Sequence, residues 1–440
     1  MKGNFSRLRH ARAKGYSRVM MQQGRVLLDS DWNEQSDLVT IAIRDLSRDI
    51  FGPHGGPGPE PGFKLTIEGS KLKIGPGRYY VQGIMVNNEN RKPFYVQDQV
   101  GFSKKTLPLE NEAWMAYLDV WDDYVAPEQD EALIEVALGG PDTCGRAKTF
   151  GQVNYMTLGN LTAAEYKQFE GDPTLVVNKL NENLKDSTGT MSARADAKSA
   201  PESLCVIPPN AKYSGLENQL YRVEIHIGGT PDKALYKWSR DNGAVVYPIE
   251  TIAAQTFTVS TLGKDSYTAM REGMWVEYVD DALIAIDGHG ILAQVISINR
   301  DDFQVTLKSA DVALPFPALD KSLNPNPMLR RWDHVGDLTK NLGALEVAKA
   351  DDIELEDGIK ITFNRGASIN YNVGDYWLIP ARVAGQKIDW PIEHNTANTP
   401  ALLEARGLSH VYAPLLLVAP GGGSVKDLRT ACTVTTKSPP

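Results

Sequence analysis

LYRVEIHIGGTPDKALYKWSRDNGAVVYPIE, Leu220 to Glu250, is the stretch that decides the fold class. Val223, Ile225 and Ile227 alternate with Glu224 and His226, bulky residues return from Ala234 to Trp238, and a third run follows from Ala244 to Ile249. A period of two sends successive side chains to opposite faces, so each run reads as a half-buried strand. Between the second and third runs, Asp241-Asn242-Gly243 supplies residues that tolerate positive φ, a strong hairpin signal. Further strands are expected at Thr256 to Thr261, Met274 to Tyr278, Gly290 to Ile298 and Phe303 to Leu307, with Gly, Asn and Asp between them.

The same grammar extends both ways. Toward the C-terminus it gives Ile359 to Asn364, Tyr376 to Pro380 and Val411 to Val418. GMWVEYV at Gly273 and GDYWLIP at Gly374 share a Gly followed by Trp and an apolar run, which suggests two related small barrels. Toward the N-terminus lie Phe63 to Glu68, Ser70 to Ile74, Tyr79 to Asn87, Phe94 to Val96 and the bulky run Trp114 to Trp121. PHGGPGPEPG, Pro53 to Gly62, reads as a linker. LTAAEYKQFEG and LVVNKLNENLKDSTG suggest short amphipathic helices, and MSARADAKSAPES a turn-forming tail to them. The expectation is a mainly β, multidomain chain with several small β-sandwich or barrel modules. Its divisions are a docking arm and helix (1–52), a linker (53–62), a β-domain (63–138), a helical insertion (139–206), a barrel-like domain (207–318), and a second β-domain with a fraying tail (319–440).

The first 25 residues differ in charge from the rest. They hold seven Lys or Arg and no Asp or Glu, in a chain whose formal charge is −9. Phe5, Tyr16, Val19, Met20 and Met21 interleave with the cations, so the segment can bury apolar anchors while its Arg residues pair at a rim. Asp29-Ser30-Asp31 then caps a helix of about four turns that Phe51-Gly52-Pro53 stops. The residues expected at a partner interface are Phe5, Arg7, Arg9, Arg12, Tyr16, Arg18, Met20, Gln22, Gln23, Arg25, Asp31, Trp32 and Asn33. Arg330, Arg331 and Trp332 form a second candidate anchor, with a cation–π-decorated turn as the structural alternative.

MKGNFSR, YSRVMMQQGRVLLDSDWNEQ and the helix ending in RDIFG together resemble the opening signature of a bacterial family of unassigned function. Its members occur in gene clusters for phage-tail-like contractile injection systems, and some precede a parallel β-helix. The likeness continues through IGPGRYYVQGIMVNNEN, GLENQLYRVEIH, KWSRDNGAVV, RRWD, VGDYWLIPAR and HVYAPLLLV. It implies a structural part of a particle, at the baseplate or its periphery, in three- or sixfold copies beside other particle subunits. It carries over no catalytic motif.

Composition and motifs narrow the chemistry. No stretch is apolar for about eighteen residues, so no membrane-spanning helix is expected, and five cations near the start argue against a secretion signal. Cys144, Cys205 and Cys432 are odd in number and scattered, as in a reducing cytoplasm. Synthesis in the cytoplasm is therefore expected, followed by incorporation into a particle. A pI near 5.4 disfavours nucleic acid as a partner of the body. The seven His show no metal-ligand spacing, and neither G-x-S-x-G nor a P-loop occurs. No enzyme, cofactor or metal is expected. The acidic pairs around Asp122, Asp280, Asp301 and Asp351 read as turn formers rather than calcium or glycosidase sites. A carbohydrate-binding or glycan-processing surface protein is the alternative, because seven Trp from Trp114 to Trp390 could stack on sugars.

Overall fold

The computed structural model describes residues 1–8, 14–89, 94–101, 112–139, 142–159, 161–184, 187–196, 213–286, 288–311, 315–348, 351–394, 399–407, 409–422 and 424–432. The chain is mainly β and divides into two units, each assembled from separate stretches. One comprises Met1–Arg9, Tyr124–Arg146 and Asp186–Gly407, and the other His10–Asp123, Ala147–Lys185 and Leu408–Pro440. Sheets thus draw strands from more than one of the linear blocks read in the sequence.

The unit holding Leu220 to Glu250 contains a closed six-stranded barrel and two open sheets. The barrel runs Val246–Ala253, Thr256–Val259, Gln304–Ser309, Ile291–Asn299, Trp275–Val279 and Met328–Trp332, which closes back onto the first strand. Tyr247, Phe257, Val276, Tyr278, Val295, Leu307 and Leu329 fill it. Of the two Trp-containing repeats, Trp275 lies in this barrel. Trp377 lies in an open five-stranded sheet with Gln219–Ile227 and Leu235–Ser239, so the expected second barrel is a sheet instead. That sheet buries Tyr221, Val223, Ile225, Tyr236 and Trp377 against Met191, Ile359, Ile361 and Phe363 of a four-stranded sheet. Met191 belongs to the strand Thr190–Ala195, where a turn-forming tail was expected. Its buried face is Met191, Ala193 and Ala195, and the two Ala are too small to register as strand bulk. The Asp241-Asn242-Gly243 turn has positive φ at Asn242 and Gly243, as expected. It carries the chain from the open sheet to the barrel rather than closing a hairpin.

In the other unit the central strand is Ala113–Val125, paired with Val411–Val418. Trp114, Ala116, Leu118 and Val120 pack with Tyr79, Val81 and Leu415. Ala113, Met115 and Tyr117 face Tyr166, Val176 and Leu180 on the helices α2 (Ala163–Gly171) and α3 (Pro173–Asn183). Burial on both faces explains why this strand reads as continuous bulk instead of alternation. The Pro/Gly linker contains a strand, His54–Pro57, lying between Gly77–Val81 and Ala431–Cys432. Gly56 is glycine for a steric reason: a Cβ there would lie 2.4 Å from Pro61 Cβ. Cys144 and Cys432 are free thiols, and Cys205 lies outside the described residues.

The helix α1 spans Asp29–Phe51, 23 residues, so it is longer than the four turns expected. It starts at Asp29 with Leu28 as N-cap, and Gly52 (φ 71) ends it by donating to Arg48 O at 2.8 Å. Phe51 stacks on Tyr80 with centroids 4.1 Å apart, and Arg44 Nη2 meets Asp122 Oδ2 at 2.6 Å. Tyr79 to Asn87, read as one strand, is a hairpin of Gly77–Val81 and Ile84–Asn88. Gln82 and Gly83 both have positive φ, the two-residue turn of a tight hairpin. A Cβ on Gly83 would lie 2.0 Å from Arg44 O, so the turn touches the α1 backbone. Gly83→Ala is expected to destabilise this unit by about 2–3 kcal/mol, through clash and positive φ together. Urea unfolding followed by circular dichroism measures it; an unchanged midpoint would mean the turn does not brace α1.

Candidate assembly surface

The basic N-terminal segment divides in two. Met1 to Leu8 packs within the unit that holds the barrel, whereas the residues from Lys14 onward belong to the other unit. Arg9 and Arg12 lie outside the described residues.

The seat of residues 1–8 is built on the strand Gln219–Ile227. Its odd positions enter the sandwich core, which leaves Arg222, Glu224 and His226 on the opposite face. That face is also buried: these side chains, with Lys237 and Glu277, are at most 3% exposed. Charges taken from water require partners, and each has several. Glu224 Oε2 accepts from Arg222 Nε at 2.6 Å, and its Oε1 lies 3.2 Å from Lys2 Nζ and 3.4 Å from Lys237 Nζ. Lys237 donates to Glu277, which also accepts from Trp332 Nε1 at 2.8 Å and from Gly290 N at 3.1 Å. His226 Nδ1 lies 3.5 Å from Glu277 Oε1. The Asn242 amide donates to Met1 O at 3.3 Å and to Gly3 O at 2.9 Å. Phe5 meets the Tyr124 ring edge-on at 5.5 Å and packs with Leu220, Tyr376 and Leu378. Arg7 pairs with Asp389 at 3.5 Å. Phe5 and Arg7, expected to meet a partner, are therefore engaged on the chain's own body.

Burial governs the protonation of this cluster. It would raise Glu224, but Lys2, Arg222 and Lys237 outweigh it and hold the carboxyl well below the usual range. Burial opposes ionisation of Glu277 too, and Lys237 and His226 overcome it. Burial, reinforced by Lys237, brings His226 down to about 4, and burial brings His334 to about 4. Lys2 falls to about 8, burial outweighing the pull of Glu224. Within the cluster Glu224 and Glu277 each meet several protein donors. Among the described residues no group of three or more His, Cys, Asp or Glu could hold a metal ion.

Arg330, Arg331 and Trp332 are corrected from an interface anchor, and from a turn, to an interior strand. Met328–Trp332 is paired on both sides inside the barrel, and the three residues are 8, 2 and 1% exposed. Arg330 donates to Gly243 O, and Arg331 bonds Asp241 at 2.5 Å and stacks over Tyr267. Trp114, Trp121, Trp238, Trp275 and Trp377 are buried too. Asp280 caps the helix Asp281–Ala285, and the backbone amides of Asp301 and Asp302 donate to Asn299.

What remains outside is the stretch from Tyr16 to Ile50. Of 25 large apolar side chains exposed among the described residues, eleven fall there: Tyr16, Met20, Met21, Val26, Leu27, Leu28, Trp32, Val39, Ile43, Leu46 and Ile50. Lys14, Arg18, Gln22, Gln23 and Arg25 are exposed among them, while Asp31 and Asn33 are half-buried. Gly24 turns the chain with φ 68, and Val19 N donates to Gln35 Oε1 at 2.8 Å, tying the arm to the start of α1. The ion cluster is what sequence reasoning missed. Its only signal is that Arg222, Glu224 and His226 share one face of an otherwise apolar strand, a pattern that equally describes a solvated face.

A family model, DUF6519, described as a family of unknown function, matches residues 1–168 and 152–434. No curated protein and no solved structure matches the chain. No helix among the described residues is long and apolar enough to cross a membrane.

Deleting residues 1–8 strips Lys2 from Glu224 and two acceptors from Asn242. The expected cost is about 3 kcal/mol, the low end for breaking a buried pair, because the Lys2 side chain is itself 30% exposed. Native-state hydrogen exchange in Gln219–Ile227 should accelerate on the order of a hundredfold, and unchanged protection would refute the clamp. The pH dependence follows from His226 and His334, whose folded values near 4 lie below the ordinary 6.5. Their contribution is complete above pH 6.5 and is lost as pH falls toward 4, about 2 kcal/mol each by pH 5. Urea midpoints at pH 7.5 and 5 test this, and equal midpoints would count against it.

Proposed function

We propose that this chain, which belongs to the DUF6519 family of unknown function, is a structural subunit of a phage-tail-like contractile injection particle, held at the baseplate or its periphery by the segment Lys14 to Leu28. The observation that carries the reading is the crowding of six exposed large apolar residues, Tyr16, Met20, Met21, Val26, Leu27 and Leu28, into 13 positions. Single exposed apolar residues need no explanation, but a contiguous run of this size marks an interaction surface. The interleaving of Lys14, Arg18 and Arg25 supports a protein partner with an acidic rim, since cations at a rim steer encounter and fix register.

The mechanism is mechanical. Met1 to Leu8 fastens the start of the chain to its own body, the exposed arm grips a neighbouring subunit, and the β-units form the layer so attached. Particle peripheries repeat by rotational symmetry, so several copies would stand around one axis. Arg330 to Trp332 have no part in this contact, being interior.

Co-sedimentation with purified particles tests the reading. The full chain is expected in the pellet, and a chain carrying R18E, M20E and R25E in the supernatant with an unchanged circular dichroism spectrum. If the unaltered chain stays in the supernatant, the particle reading falls. Retention of that free chain on immobilised glycans would then favour the carbohydrate-binding alternative.

A further inference from the structure

The large apolar residues exposed on α1 are not scattered around the helix. Trp32, Val39, Ile43, Leu46 and Ile50 are 69, 48, 58, 61 and 54% exposed, and with Ser36 they follow one another at steps of four, three, four, three and four. That is a 3.5-residue repeat, the spacing of a seam read by another helix. The opposite side of α1 is already held by the Phe51–Tyr80 stack, the Arg44–Asp122 pair and the close approach of Gly83. We infer that the occupant of this seam is α1 of a second copy of the chain, side by side and parallel.

Three observations select a second copy. Flanking positions carry Asn33, Gln35, Thr40, Ala42 and Ser47, with Asp49 the one ionised residue, so two identical seams meet without like-charge repulsion along most of their length. A basic or acidic partner would find nothing there to pair with. The hydroxyls at the seam are already satisfied: Ser36 Oγ donates to Trp32 O at 3.2 Å and Thr40 Oγ1 to Ser36 O at 2.9 Å. Burying them therefore strands no donor. Ser36, Ile43 and Ile50 occupy one core position and Trp32, Val39 and Leu46 the other, so from Ile43 to Ile50 the seam has the β-branched and γ-branched division that favours two parallel strands. Five side chains per copy, about half to two-thirds exposed, supply apolar area on the order of the 1,000 Å² that a specific interface must reach.

The inference rests on α1 alone and holds whether or not the chain is a particle subunit. Sedimentation velocity of the full chain at tens of micromolar is expected to give twice the monomer mass. I43D and L46D, both at exposed positions that the fold tolerates, are each expected to return the monomer mass with helicity unchanged. In a chain whose own cysteines are serine, Ile43→Cys is expected to cross-link on mild oxidation and Asp37→Cys, off the seam, is not. A monomeric unaltered chain, a doubled mass that survives both substitutions, or equal cross-linking at 37 and 43 would each overturn it.

Discussion

Two carboxylates buried beside each other, Glu224 and Glu277, are the constraint on which the barrel-containing unit depends. Removed from water, neither can stay ionised without compensation, and the compensation comes from distant parts of the chain: Arg222, Lys237 and Lys2 around one, Lys237, His226 and Trp332 around the other. A buried ion pair adds little net stability over an apolar one, but removing one member leaves a charge with nowhere to go. The cluster thus acts as a register. The open sheet supplies Glu224 and Lys237, the barrel supplies Glu277 and Trp332, and residues 1–3 supply Lys2 and the carbonyls that Asn242 needs. Any relative slip would strand at least one of them.

The other unit treats its polar and apolar groups the opposite way. Its charges near α1 lie at partly exposed positions and pair there, as Arg44 does with Asp122, while five large apolar side chains remain in water. Such a surface costs solubility unless something covers it. The helix does not need the seam for its own integrity, because its other face is fixed by Phe51 on Tyr80 and by the Gln82–Gly83 turn under Arg44. The seam is therefore free to be used between molecules.

Legibility in the sequence followed the range of the cause. Leu220 to Ile227, Trp114 to Trp121 and Val411 to Val418 could be read because their pattern is set by local alternation or by burial on both faces. The helix could be read, though not its full length. His54–Pro57 could not, because its glycines answer to Pro61 and to a strand near residue 431 that no local window contains. Gln82-Gly83 lacks the Asn or Asp that usually announces a tight hairpin. Barrel closure through Met328–Trp332 is a pairing across more than 75 residues, and it turned two Arg that look like surface anchors into interior groups. The charge asymmetry of the basic segment was legible, but nothing in its composition says that Lys2 and Phe5 are met by Glu224 and Tyr124 of the same chain.

In the proposed assembly the arm from Lys14 to Leu28 and the α1 seam would serve two kinds of contact with different physics. The arm from Lys14 to Leu28 presents exposed cations, and the proposed attraction to an acidic rim would weaken as salt shortens the Debye length. The α1 seam is apolar with almost uncharged flanks, so screening leaves it untouched and salting-out ions strengthen it. Contacts that respond to opposite conditions can form independently. On the proposed reading, copies would pair through α1 before, during or after the arm engaged another subunit, and neither step would require the interior cluster that holds Met1 to Leu8 to open.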